Sequence, residues 1–190
     1  MMRVKFSFLA ALLLVGTPFV GTWADEFEDT IRIFKEGGES ANFFGTSYGY
    51  AVFPSIGKGG AGIGGATGKG RVFRQGEYIG DTRMTQLTFG FQLGGQVYSQ
   101  MIFFEDERSL NEFTSGNFEF GAQATAVAIT AGASAAATTT GTAAGVSGGK
   151  RDAATVGAYH KGMATFTVAK GGLMYEASIG GQKFSFTPKQ

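Results

Sequence analysis

Between Gly49 and Phe73 the chain reads GYAVFPSIGKGGAGIGGATGKGRVF, and no other stretch limits the fold as tightly. Each glycine costs a helix interior about 1 kcal/mol against alanine, so a run this rich in glycine cannot be a stable helix. A strand tolerates it, and its bare positions let another backbone or a ligand approach closely. The run also carries Lys58, Lys69 and Arg71 and no acid. An apolar, glycine-rich, locally basic surface suits an anionic interface better than bond-breaking chemistry.

The flanking sequence switches between two periods. From Asp25 to Lys35, Phe27, Ile31 and Phe34 form a helical stripe, with acids early and bases late as the helix dipole favours. Such a stripe packs on a core, because a membrane-surface helix would carry Lys and Arg along its polar face. Gly37-Gly38 ends this helix, and Glu39 to Phe44 forms a second short turn. After residue 49 the period becomes 2. Thr85, Leu87, Phe89, Phe91 and Leu93 alternate with polar or small residues, and Val97 to Phe104 reads as a strand of mixed faces. Phe118, Phe120 and the alanines to Ala128 line a further strand, followed by Ala164 to Val168 and by Phe184 and Phe186. One helix interrupts at Glu107 to Phe113. Gly94-Gly95 and Gly171-Gly172 are turn candidates. The expected fold is α+β: a twisted antiparallel sheet, open or barrel-like, with an N-terminal helix and one short internal helix.

The order of these blocks resembles the SYLF domain family. That family includes endocytic proteins with a Src-homology-3 domain, plant FYVE proteins and many bacterial exported proteins. The glycine run is similar to its signature, and QLTFGFQLGGQVYSQMIFFED (Gln86 to Asp106) to its central hairpin. SLNEFTSGNFEFGAQATAVA (Ser109 to Ala128) resembles its short helix and next strand, and ATFTVAKGGLMYEASIGGQKFSF (Ala164 to Phe186) its closing pair. The resemblance implies membrane-lipid binding, with phosphoinositides as the eukaryotic ligand, and actin bundling in fungal members. Where many relatives carry a Gly-Pro-x-Gly-Arg turn, this chain has AGASAAATTTGTAAGVSGG (Ala131 to Gly149), a low-complexity loop.

Residues 1–24 read as a secretory signal peptide: Arg3 and Lys5 lead an apolar core, and Thr22-Trp23-Ala24 offers a cleavage site. The expectation is an exported protein, periplasmic or peripheral to the outer membrane, with residues 25–190 forming one lipid-binding domain. Loss of Arg3 and Lys5 takes the formal net charge from +1 to about −1, which argues against nucleic acid as a partner. Actin is not expected as a partner of an exported protein. The chain has no cysteine and one histidine, which leaves no thiolate ligand or nucleophile and makes zinc an unsuitable guest.

Several motifs match by glycine content alone, in a chain with 32 glycines. Gly60 to Gly65 fits G-x-G-x-x-G, but the following Ala66-Thr67-Gly68-Lys69-Gly70 cannot open the helix a dinucleotide site requires. Ser47 and Ser147 each fit G-x-S-x-G, yet Ser47 has a helix before it and a strand after it, the reverse of a nucleophile elbow. His160, beside Lys161-Gly162, reads as a turn residue. Glu105-Asp106-Glu107 is explained by a helix N-terminus. The chain is therefore read as non-enzymatic, with no cofactor or metal.

The candidate site is a lipid-headgroup surface. Lys58, Lys69, Arg71, Arg74 and Arg83 would meet phosphates, and backbone N–H groups around Gly59, Gly60 and Gly62 would add donors. Two other readings stand beside it. One is a small outer-membrane barrel. The other is a protein-binding or assembly module of the envelope that uses exposed strand edges.

Overall fold

In a computed structural model of the protein, the residues described are 23–121, 124, 126–129, 159–170 and 179–190. Residues 1–22 of the leader expected at 1–24, the loop at 131–149 and the Gly171-Gly172 turn lie outside them.

Helix α1 (Trp23–Glu36) is followed by a 3-10 helix (Gly38–Gly45) and by two very long strands, β1 (Gly49–Arg74) and β2 (Glu77–Phe104). Helix α2 (Glu107–Thr114), the short β3 (Phe118–Glu119) and β4 (Val127–Ile129), then β5 (Met163–Lys170) and β6 (Gln182–Pro188) complete the order. β1 and β2 form one hairpin whose turn is Gln75-Gly76, both at positive φ. On its other edge β2 takes β6 along Gly80–Gln86 and β5 along Val97–Phe104, both antiparallel. Among the described residues the one parallel pairing is β4 on β5.

Two expectations are corrected here. Gly94-Gly95 is not a turn but the interior of β2, opposite Gly60-Gly59. Gln86 to Phe104 is accordingly the greater part of one strand and not a hairpin. The reason is that Gly94-Gly95 meets an equally glycine-rich partner, so the ladder continues through a bend where a single glycine pair would have suggested reversal. The closing strands β5 and β6 pair with β2, not with each other.

The bend explains the glycine run. The register slips between Ala61 and Ile63, and the far half of β1 returns across its near half. A Cβ on Gly70 would stand 2.6 Å from the Phe53 ring and 2.8 Å from the Val52 carbonyl oxygen. On Gly68 it would stand 2.6 Å from Ile56 and 3.0 Å from the Ser55 oxygen. The Gln75 N–H closes the crossing by donating to the Tyr48 carbonyl at 3.0 Å. The bare positions thus admit the chain's own backbone. The result is a curled half-barrel.

Its two faces are packed separately. Inside the curl lie Phe53, Ile56, Val72, Met84, Ile102, Phe104 and Phe184, closed from one side by Leu110 and Phe113 of α2. On the outer face Val52, Met101, Phe103, Phe166 and Val168 are covered by Phe27 and Phe34 of α1 and by Phe43. This is why Val97 to Phe104 reads as mixed faces: from Tyr98 onward both sides are buried. The predicted stripe on α1 meets the core, with Phe34 fully buried and Thr30 completing the face. A polar group also sits inside the curl. The Gln100 amide donates to Gln182 at 2.8 Å, and Gln182 donates to Gln100 at 3.1 Å and to the Tyr98 hydroxyl at 3.2 Å.

Candidate functional site on the far half of the hairpin

Beyond the bend the strands alternate cleanly. Ala66, Gly68, Gly70 and Val72 of β1, Gly80, Thr82, Met84 and Gln86 of β2, and Gln182 and Phe184 of β6 are buried. Thr67 and Lys69, then Asp81, Arg83, Thr85 and Leu87, then Lys183, Ser185 and Thr187 are exposed on the opposite face. Register places Lys69 directly opposite Arg83, and Arg83 directly opposite Ser185. Lys183, opposite Thr85, is a diagonal neighbour of Arg83. Three neighbouring strands thus bring three cations to one open face. Arg83 forms no hydrogen bond or ion pair among the described residues.

Arg71 lies on the same face, but its guanidinium is engaged. It stacks 4.4 Å from the Phe27 ring centroid and 5.4 Å from that of Tyr78, and reaches Asp81 at 3.9 Å. Its side chain is only 34% exposed. These contacts hold the start of α1 against the hairpin. Burial and the Asp81 carboxylate push the Tyr78 phenol above its ordinary pKa, while Arg71 pulls it down. Arg74 is exposed at the hairpin end, opposite Glu77 and past an irregularity in the ladder. Lys58 is placed apart from the group: it lies before the bend, opposite Gln96, and shares its alternation with the buried Ile56. Gly59 and Gly60 stand in the ladder opposite Gly95 and Gly94, and Gly62 lies at the slip. Adjacent residues of an antiparallel strand point their backbone groups to opposite sides, so one of Gly59 and Gly60 faces β2 and the other faces the outer edge of β1.

Lys183 is the residue that sequence reading missed. Its alternation with Gln182 and Phe184 marks it as outward-facing, but only the pairing of β6 on β2 places it beside Arg83. Sequence spacing alone carries no such signal. The other motifs fall where the residues suggest. Gly60 to Gly65 lies within a strand, Ser47 lies between the 3-10 helix and β1, and His160 is an exposed turn residue. Among the described residues no cluster of three or more His, Asp and Glu is placed to hold a metal ion.

A curled antiparallel sheet packed on both faces, with a short helical layer and an open cationic face, defines an α+β half-barrel protein. The family model described as Ysc84, Las17-binding protein actin regulator, matches residues 85–189, and the chain belongs to that family, the SYLF family it resembles in sequence. It is also similar to Beta cell expansion factor A of Aeromonas veronii, with 27% identity over 165 residues, 81% of this chain and 51% of that protein. The chain therefore spans about half the length of this curated relative.

Proposed function

We propose that the protein is an exported, non-enzymatic envelope protein that binds anionic membrane lipids peripherally through the face around Lys69, Arg83 and Lys183. The observation that carries this reading is the pair Lys69 and Arg83. Register sets the two bases directly across two strands on an exposed face, with Lys183 diagonal to Arg83. Each base near an anionic surface is worth about 1 kcal/mol. Family membership supports the lipid class, with phosphoinositide-like headgroups as the ligand the resemblance implies.

The outward charges also favour a peripheral protein over an integral barrel. A lipid-facing barrel wall needs an apolar band, whereas this wall carries Lys69, Asp81, Arg83 and Lys183. No helix among the described residues is long and apolar enough to cross a membrane. The assembly reading draws on one feature: among the described strands β1 pairs only with β2, so its outer edge has no strand partner.

Co-sedimentation with vesicles of neutral and of anionic phospholipid, at two salt concentrations, tests the proposal. Binding that needs anionic lipid and weakens with salt is expected. Equal recovery with neutral vesicles, or none with either, overturns it.

A further inference from the structure

The basic face leads into a concavity. A groove of about 430 Å³ opens where β2, β6 and β3 meet the turn that follows α2, lined by Arg83, Thr85, Asn117, Glu119, Lys183 and Ser185, with Phe118 and Gly116 on its wall. Its volume falls in the range of small-ligand sites, roughly 300 to 1,000 Å³.

The lining is built by the fold. Asp106 caps α2 by accepting from the Ser109 N–H at 2.7 Å, and Phe113 packs against Phe104, Phe118 and Phe184. The helix then ends at a turn in which Gly116 takes φ +91, a conformation that glycine adopts without strain. That turn carries Asn117 to the edge of the sheet, where Phe118 and Glu119 pair with Phe184 and Lys183.

The polar groups converge without satisfying one another. The side chains of Arg83, Thr85, Asn117 and Ser185 make no hydrogen bond to any described residue. Lys183 and Glu119 form an ion pair at 3.4 Å, both well exposed. A guanidinium, two hydroxyls and an amide among the residues lining one groove form a donor-rich set. Such a set matches a phosphoryl group, which accepts in several directions and pairs in bidentate fashion with arginine. Glu119 is the one acid of the lining, and it holds the second cation.

We propose that this groove is a phosphate seat. Arg83 grips the phosphoryl oxygens, Thr85 and Ser185 donate from the adjoining strands, and Lys183 exchanges Glu119 for the ligand. Glu119 acts as an internal competitor that lowers affinity until a phosphate displaces it. The proposal rests on the lipid reading for the source of the phosphate and on the groove alone for its chemistry. A lipid headgroup and a soluble phosphate ester offer the same group.

The test titrates the folded protein with glycerol 3-phosphate while following amide chemical shifts, and in parallel with anionic vesicles. Wild type should bind glycerol 3-phosphate, with shifts at Arg83, Thr85 and Ser185. Arg83→Ala should weaken this at least tenfold. Glu119→Gln should tighten it several-fold, an effect that loss of folding cannot imitate. If Arg83→Ala also reduces vesicle binding, the source is a lipid headgroup; if vesicle binding holds while the soluble ester is lost, the source is a free phosphate ester, and the seat stands in both cases. No binding of glycerol 3-phosphate by wild type, equal binding by Arg83→Ala, or weaker binding by Glu119→Gln overturns the seat. Vesicle binding retained alongside that result leaves the lipid reading intact on the rest of the face.

Discussion

Lys69 of β1 stands directly opposite Arg83 of β2 on the exposed face of the sheet, with Ser185 of β6 on the far side of Arg83. Cross-strand pairs of like charge cost a sheet up to about 1 kcal/mol. Arg83→Glu should therefore hold or raise stability by a few tenths of a kcal/mol while sharply lowering recovery with anionic vesicles. Denaturant midpoint and co-sedimentation, measured on the same sample, check the two halves. A fall in stability with unchanged recovery would make Arg83 a structural residue.

Arg71 behaves differently because it stacks on Phe27. Arg71→Ala should lower stability by about 0.5–2 kcal/mol, by loss of the cation–aromatic contact and of the packing of its stem. Urea unfolding reads this directly. Arg83→Ala, whose side chain is exposed and has no described partner, should stay within about 0.5 kcal/mol of wild type.

Gly70→Ala should destabilise by about 1–3 kcal/mol, because the new methyl meets the Phe53 ring and the Val52 carbonyl and forces the two halves of β1 apart. Gly57→Ala is the control. A Cβ there meets nothing within 4 Å, so its change should remain within about 0.5 kcal/mol. Similar midpoints for the two variants would refute the crossing.

Tyr98 is pushed up to about 12 by burial, against the opposing effect of its hydrogen bond from Gln182. Its native pKa lies above the unfolded value near 10, so the native state holds the proton longer. Stability from this group is complete below pH 10 and falls as pH rises towards 12, by roughly 2–3 kcal/mol in all. Tyrosinate absorbance should show several phenols titrating above the ordinary value, and Tyr98→Phe should remove the step near 12 and flatten the alkaline loss of stability.

Asp106 is held below the ordinary carboxylate range, first by its hydrogen bond from the Ser109 backbone and then by the Ser109 side chain and Arg108. A lowered native pKa gives stability that is present above the unfolded value and lost as pH falls through the native one. Asp106→Ala should lower the melting temperature at pH 7, and the gap from wild type should close on acidification. A gap independent of pH would assign the effect to packing of α2.

Much of this fold is legible in the residues, because period and capping are local. The stripe Phe27, Ile31 and Phe34, the acidic start of α2 and the alternation along β6 each report which side of an element is buried, whereas β5 is buried on both faces and β2 buries Gln86 and exposes Leu87, against its apolar alternation. The glycine run likewise reads as a strand that something approaches closely. What approaches it is not local information: Gly68 and Gly70 meet Ile56 and Phe53 only after the hairpin bends. The Gly94-Gly95 misreading has the same origin, since two glycines look alike whether the chain reverses or continues opposite a matching pair.

The candidate site divides along the same line. Sequence alone determined that the chain carries a basic, glycine-rich strand region on a mostly antiparallel sheet, because composition and alternation are properties of neighbours. Only the tertiary structure decided which bases share a surface. Pairing of β6 with β2 set Lys183 beside Arg83, the docking of α1 engaged Arg71 with Phe27, and the bend removed Lys58 to another part of the sheet. Register is a cooperative outcome of packing on both faces, and a slip of one residue would reverse every side chain on the strand.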